Sequence, residues 1–205
     1  MDSGTLAGRF RVVKRTVTLT RTMVDRPEVT PDYFEILVVR ELRKTGLEVT
    51  DPRVQRRTEL PEPEQGFLLE LLVWLRRDRW QKRALIACRR QVDAIGAEAI
   101  NTLAPHLAEA QAEVGLLFAT AAFAPEALAA GDEQGIALLQ LVDARTALDT
   151  SGWGGGGPGH YPAWLPAYLV QLVDRDPAGQ PRARLLEAGQ ANIILERLRA
   201  RGGVP

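Results

Sequence analysis

Glu70 stands in the middle of an otherwise apolar run, FLLELLVWL at 67–75. A carboxylate taken out of water is costly unless it is paired, hydrogen-bonded or holding a cation. Its position therefore points to a segment with a solvent face, to a helix, or to a carboxylate with a task. The next apolar run, ALIACRR, ends in Arg89 and Arg90. If 67–75 and 83–89 pair as a hairpin, Ala87 and Arg89 share one face, and Glu70 comes close to Arg89. Such a pair is either a salt bridge at the end of a sheet or part of a site for a phosphate. The intervening RRDRWQKR holds the basic residues Arg76, Arg77, Arg79, Lys82 and Arg83, with Trp74 and Trp80 beside them. Basic and aromatic side chains together can grip a phosphate backbone and stack on bases, or simply solvate a turn.

Other chemistries find little support. Cys88 is the only cysteine, which leaves no disulfide framework or thiolate cluster. His106 and His160 are too few for a histidine-rich metal centre. The glycine run at 154–157 lacks the following Lys-Ser/Thr of a phosphate loop and reads as a linker. The formal net charge is zero, so an interaction with nucleic acid must rest on local charge. No apolar run reaches the roughly 18–20 residues of a membrane span. A soluble, cytoplasmic protein without membrane contact is expected.

Helices and strands must hold these residues in place. A basic stretch at 9–23, with Arg9, Arg11, Lys14, Arg15 and Arg21, reads as a strand or arm. Thr30 and Pro31 start a helix over 31–45, and Gly46 stops it. A short strand opens at Leu47, and 51–65, with Pro52, Pro61 and Pro63, reads as a loop. The expected hairpin follows, with 76–83 as its charged turn. Next come a helix over 92–111 with Pro105 as a blemish, a strand at 114–120, a short helix at 125–130 and a strand at 136–142. This order predicts a partly parallel sheet with helices on its faces. A short helix at 143–150, a Gly-rich linker at 151–160, and a C-terminal hairpin and helix over 161–205 complete the chain.

In order and spacing these segments resemble the Mrr-like branch of the PD-(D/E)XK nuclease superfamily. The helix DYFEILVVRELRKTGLEV resembles that family's opening helix. GLLFATAAFAPEALAAGDEQGIALLQLVDA resembles its later strand–helix–strand pattern, and ALIACRRQ sits where the family has its catalytic (E/Q)-x-K strand. The resemblance spans about 30–145 and implies a restriction-endonuclease-like α/β domain: a mixed central sheet flanked by helices, with a small C-terminal α+β extension. It also implies a Mg²⁺-dependent endodeoxyribonuclease site, in which the metal polarises the phosphate and the Lys supports developing charge.

Carried over by position, Glu35 matches the helix Glu and Glu70 falls near the metal-binding Asp. Ala87 replaces a metal ligand, and Arg89 replaces the Lys. Arginine keeps the charge but cannot give up its proton, and its planar fork differs from an ammonium. These two departures favour a catalytically degraded relative that binds DNA, through Arg76, Arg77, Arg79, Trp80, Lys82, Arg83 and Arg90, or that serves in a DNA-defence or DNA-processing complex. An active nuclease would use Glu35, Glu70 and Arg89, with a missing ligand supplied by Gln91 for example. A module for protein contacts alone is the third reading. It would place Tyr161, Trp164 and Tyr168 at a partner surface, in a homodimer or a larger complex.

Overall fold

Why the first helix forms is visible in its ends. In the computed structural model, which describes residues 28–61, 66–151, 161 and 165–199, α1 spans Pro31–Lys44. The Thr30 side chain accepts a hydrogen bond from Tyr33 N at 3.2 Å. Gly46 takes the left-handed φ of 94° just past the helix, where a side chain would be strained. Phe34, Leu37, Val38 and Leu42 recur at helical spacing and are buried.

The sheet is mixed and seven-stranded, with its strands in chain order: β1 (Glu48–Leu60), β2 (Gly66–Arg77), β3 (Trp80–Arg90), β4 (Val114–Ala119), β5 (Ile136–Asp143), β6 (Tyr168–Arg175) and β7 (Pro181–Leu185). β3, β4 and β5 are parallel, and all the other neighbours are antiparallel. The two parallel steps need crossovers, supplied by α2 (Ala97–Glu109) and α3 (Pro125–Gln134). α4 (Ala144–Ser151) and α5 (Ala191–Arg199) follow β5 and β7. This is the expected α/β architecture. The C-terminal hairpin extends the same sheet through β5–β6 pairing. Among the described residues no helix is long and apolar enough to cross a membrane.

Strand alternation divides the core between two faces. Leu69, Leu71, Ile86, Cys88 and Phe118 point toward α1 and α5 and pack with Phe34, Leu37 and Ile194. Leu72, Leu85, Ala87 and Leu117 pack on the other face with Ile100, Leu103 and Leu128, from α2 and α3.

Four expected boundaries are corrected. The segment 51–60 is strand, not loop. It belongs to an edge, so Pro52 removes no ladder bond that the sheet needs, and after Val49 the strand is exposed through Glu59. Register shifts at Thr50/Arg53 and Val54/Arg56, with Asp51 at a φ of 53°, bend it. The charged turn shrinks to Asp78-Arg79, because Arg77 pairs with Trp80 and the strands absorb the rest of 76–83. The second helix starts at Ala97 rather than at 92. Val92 is exposed, while Ile95 is held in extended pairing with Phe123. The helix over 125–130 continues to Gln134 and ends at left-handed Gly135. The stretch 9–23, the glycine run and Trp164 lie outside the described residues.

One glycine is demanded by a close approach. A Cβ on Gly66 would stand 1.8 Å from the Arg90 carbonyl oxygen, a backbone atom that cannot swing aside. Gly66→Ala should cost roughly 1–3 kcal/mol, the usual penalty of overpacking. A urea unfolding midpoint measures it, and an unchanged midpoint would mean that strand β2 begins elsewhere.

Candidate functional site

Opposite residues of an antiparallel pair share a face, so the register places the motif positions directly. Glu70 stands opposite Ala87, and Leu68 opposite Arg89. Glu70 and Arg89 are therefore diagonal neighbours on the face covered by α2, and with Ala87 they line one small cleft. Ala99, Thr102 and Leu103 of α2 close it, leaving a volume of about 20 Å³. That is room for a single water.

Glu70 is 3% exposed, and its carboxylate is occupied. His106 Nδ1 lies 2.7 Å from Oε1. Arg56 Nη1 lies 2.6 Å from His106 Nε2, and Arg56 Nε is 3.7 Å from Glu70 Oε2. Nη1 is also 3.1 Å from Nδ1, but an arginine can only donate and a carboxylate only accept, so the two shorter contacts are both satisfied with Nε2 accepting and the Nδ1–H donating to Glu70. The result is a relay, Arg56 to His106 to Glu70, joining edge strand, helix and central strand. Glu109 lies 3.7 Å from Arg56 Nη2 at its outer end.

The other motif side chains are also engaged. Arg89 Nε donates to the Gln91 amide oxygen. The Gln91 amide nitrogen donates to the Asp93 carbonyl at 2.8 Å. Thr120 exchanges hydrogen bonds with the Gln91 backbone, tying β3 to the end of β4. Glu35 is elsewhere. It belongs to α1, and its charge, after burial, helps to push the Cys88 thiol upward. Cys88 points to the α1 face, so the sheet lies between Glu35 and the cleft that holds Glu70. Glu70 and Arg89 thus line one cleft, Gln91 is bonded to Arg89, and Glu35 is not brought to them.

Apart from Arg90, which follows Arg89, the basic residues lie toward the other end of the hairpin. Trp80 is nine positions along β3 from Arg89, roughly 30 Å at strand rise. Three of these six cations carry acids of their own. Arg76 pairs with Glu48 at 3.0 Å, Arg90 with Glu28 at 3.0 Å, and Lys82 with Glu113 at 2.5 Å. The Lys82 hydrogen bond holds the Glu113 carboxyl below the usual range. Arg83 reaches the Gln111 amide oxygen at 3.5 Å, while its backbone N–H donates to Glu113. Arg77 and Arg79 differ: among the described residues neither has an ion-pair partner, and Arg77 Nη1 is buried without a hydrogen bond. Of the aromatic group near the linker, Tyr161 lies under Arg145 and Tyr168 tilts against Tyr33.

The family model Mrr_cat, restriction endonuclease, matches residues 26–147, more than half of the chain. The chain belongs to this restriction endonuclease family. No curated protein and no solved structure matches it. Restriction endonuclease domains generally use Mg²⁺, and the donor set around Glu70 and Ala87, the positions to which the sequence resemblance points, does not fit that ion. Magnesium takes oxygen ligands in near-octahedral array. Here one carboxylate remains, bound by a histidine with an arginine beside it, and it faces an alanine. Among the described residues no three His, Cys, Asp or Glu side chains converge as a metal site.

Sequence reasoning missed His106 and Arg56. His106 lies three residues beyond core-facing Leu103 on α2, and that spacing was the available signal. Arg56 fell in a segment read as loop. Removing His106 strands a buried charge, so His106→Leu should cost about 3 kcal/mol or more. Arg56 is 41% exposed, and Arg56→Ala should cost no more than about 1 kcal/mol. Chemical denaturation of both variants checks the ranking. Equal small losses would mean that Glu70 has other partners.

Proposed function

We propose that this restriction-endonuclease-like protein is a catalytically degraded member of its family that binds DNA. The observation that carries the reading is the state of Glu70. The surviving motif carboxylate is capped by His106 and covered by α2, in a cleft of about 20 Å³. A scissile phosphodiester with a metal needs far more space, and family-type cleavage depends on charge stabilisation by that metal. Alanine at 87 and an arginine turned toward Gln91 at 89 agree with the same reading.

Support for DNA comes from the family and from the far end of the hairpin. The chain is neutral overall, and the acids beside Arg76, Lys82 and Arg90 remove much of the local field. Among the described cations of the hairpin, Arg77, Arg79 and Arg83 have no ion pair, and Arg77 and Arg79 stand at its tip. Weak, salt-sensitive binding follows, with the hairpin tip as its centre.

One set of mixtures tests both halves. Plasmid DNA with Mg²⁺ or Mn²⁺ should be nicked no faster by the native protein than by Glu70→Ala. Duplex binding should weaken with salt, and Arg77→Ala with Arg79→Ala should flatten the log–log slope by about 2. Cleavage that disappears with Glu70→Ala would establish an active nuclease instead. Absence of any salt-dependent binding would remove the DNA role.

A further inference from the structure

The tip of the β2–β3 hairpin does not end in open solvent. It faces α5 across a groove of about 670 Å³, lined by residues 77–80 on one side and by Asn192, Leu195 and Glu196 on the other. That volume falls in the ordinary range of small-ligand sites. Three features of the groove belong together. Arg77 lines the groove, and its Nη1 is buried with no hydrogen-bond partner among the described residues. Arg79 is exposed at the tip, without an ion pair among the described residues. Trp80 is half-buried: the apolar cluster supports the ring from one side, while the residue borders the groove.

The α5 side supplies different chemistry. Asn192 and Glu196 are exposed, four residues apart on one helical face, so their amide and carboxylate border the same space. A carboxylate repels a phosphate but accepts from the amino and imino edges of a base. Two guanidinium groups, an aromatic plane and an amide–carboxylate edge make a site for a unit that has a phosphate, a flat ring and ring donors.

We infer that this groove holds one unstacked nucleotide of a single DNA strand, with its phosphate on Arg77 and Arg79, its base against Trp80 and its base edge toward Asn192 and Glu196. The inference deepens the DNA-binding reading above and rests on it. Duplex DNA keeps its base faces stacked and cannot offer one to Trp80, whereas a single strand can. The groove lies at the end of the hairpin away from Glu70, so its occupancy does not involve the motif.

Fluorescence anisotropy of the full chain with a labelled oligothymidylate about 12 nucleotides long, and separately with a blunt duplex, tests this. Trp80→Leu should weaken single-strand binding roughly tenfold while duplex affinity stays within about twofold. Because Trp80 also packs on the core, Asn192→Ala provides an exposed second variant and should weaken the single strand alone. If both variants bind the oligothymidylate as the native protein does, while the duplex still binds with its salt slope, the groove assignment is overturned and the DNA reading stands. If neither DNA binds at all, both fail.

Discussion

A carboxylate in the centre of a packed sheet must find compensating donors, and the way Glu70 finds them governs the rest of this site. Its neighbours along β2 are leucines, and the residue across from it is Ala87. Neither can offset the lost hydration. The compensation comes from α2 and β1, by way of His106 and Arg56. This ties the helix down over the motif and holds the middle of an edge strand that has almost no buried surface of its own. One charge thus couples three elements. The same contacts, a positive guanidinium near the carboxylate and a histidine N–H on its oxygen, supply the positive field that the buried charge requires.

The hairpin carries two separate chemistries at its two ends. At one end β2 and β3 meet β4 through Gln91 and Thr120, and motif side chains are bound to one another. At the other end, Arg77, Arg79 and an aromatic ring border the groove beside α5. The separation follows from strand geometry: at the rise of a β-strand, roughly 30 Å lies between Arg89 and Trp80. Contacts at the tip can therefore be gained or lost without disturbing the relay at Glu70. The C-terminal hairpin contributes as well. β6 and β7 widen the sheet, and they deliver α5 to the α1 face, where it forms the second wall of the groove.

Much of this architecture was legible from residue types. Thr30, Pro31 and Gly46 marked the first helix, because capping and left-handed stops are local physics. The apolar runs around Glu70 and Ala87 marked the central hairpin, and the alternation of strands and helices marked the parallel part. Edge strand β1 was not legible, since solvent on both sides leaves no period-two pattern and Pro52 and Pro61 read as punctuation. The start of α2 was not legible either: Val92 and Ile95 fit a helical pattern, but Ile95 is claimed by a backbone bridge to Phe123. The motif positions Glu70, Ala87 and Arg89 could be placed on one face from strand period alone. Their partners could not, because His106 is thirty-six residues from Glu70 in sequence and Arg56 lay in the unread strand. Glu35 was carried over by motif, and only the packing of α1 puts the sheet between it and the cleft.

The central claim is that the Glu70 carboxylate is held by protein donors rather than by a divalent ion. Manganese binding, followed by electron paramagnetic resonance on the intact protein and on Glu70→Gln, addresses it most directly. The account predicts that the two proteins leave the same amount of free Mn²⁺ at every concentration. A tight site, one ion per chain, present in the native protein and absent in Glu70→Gln would contradict it, and would return the motif to the metal chemistry of its family.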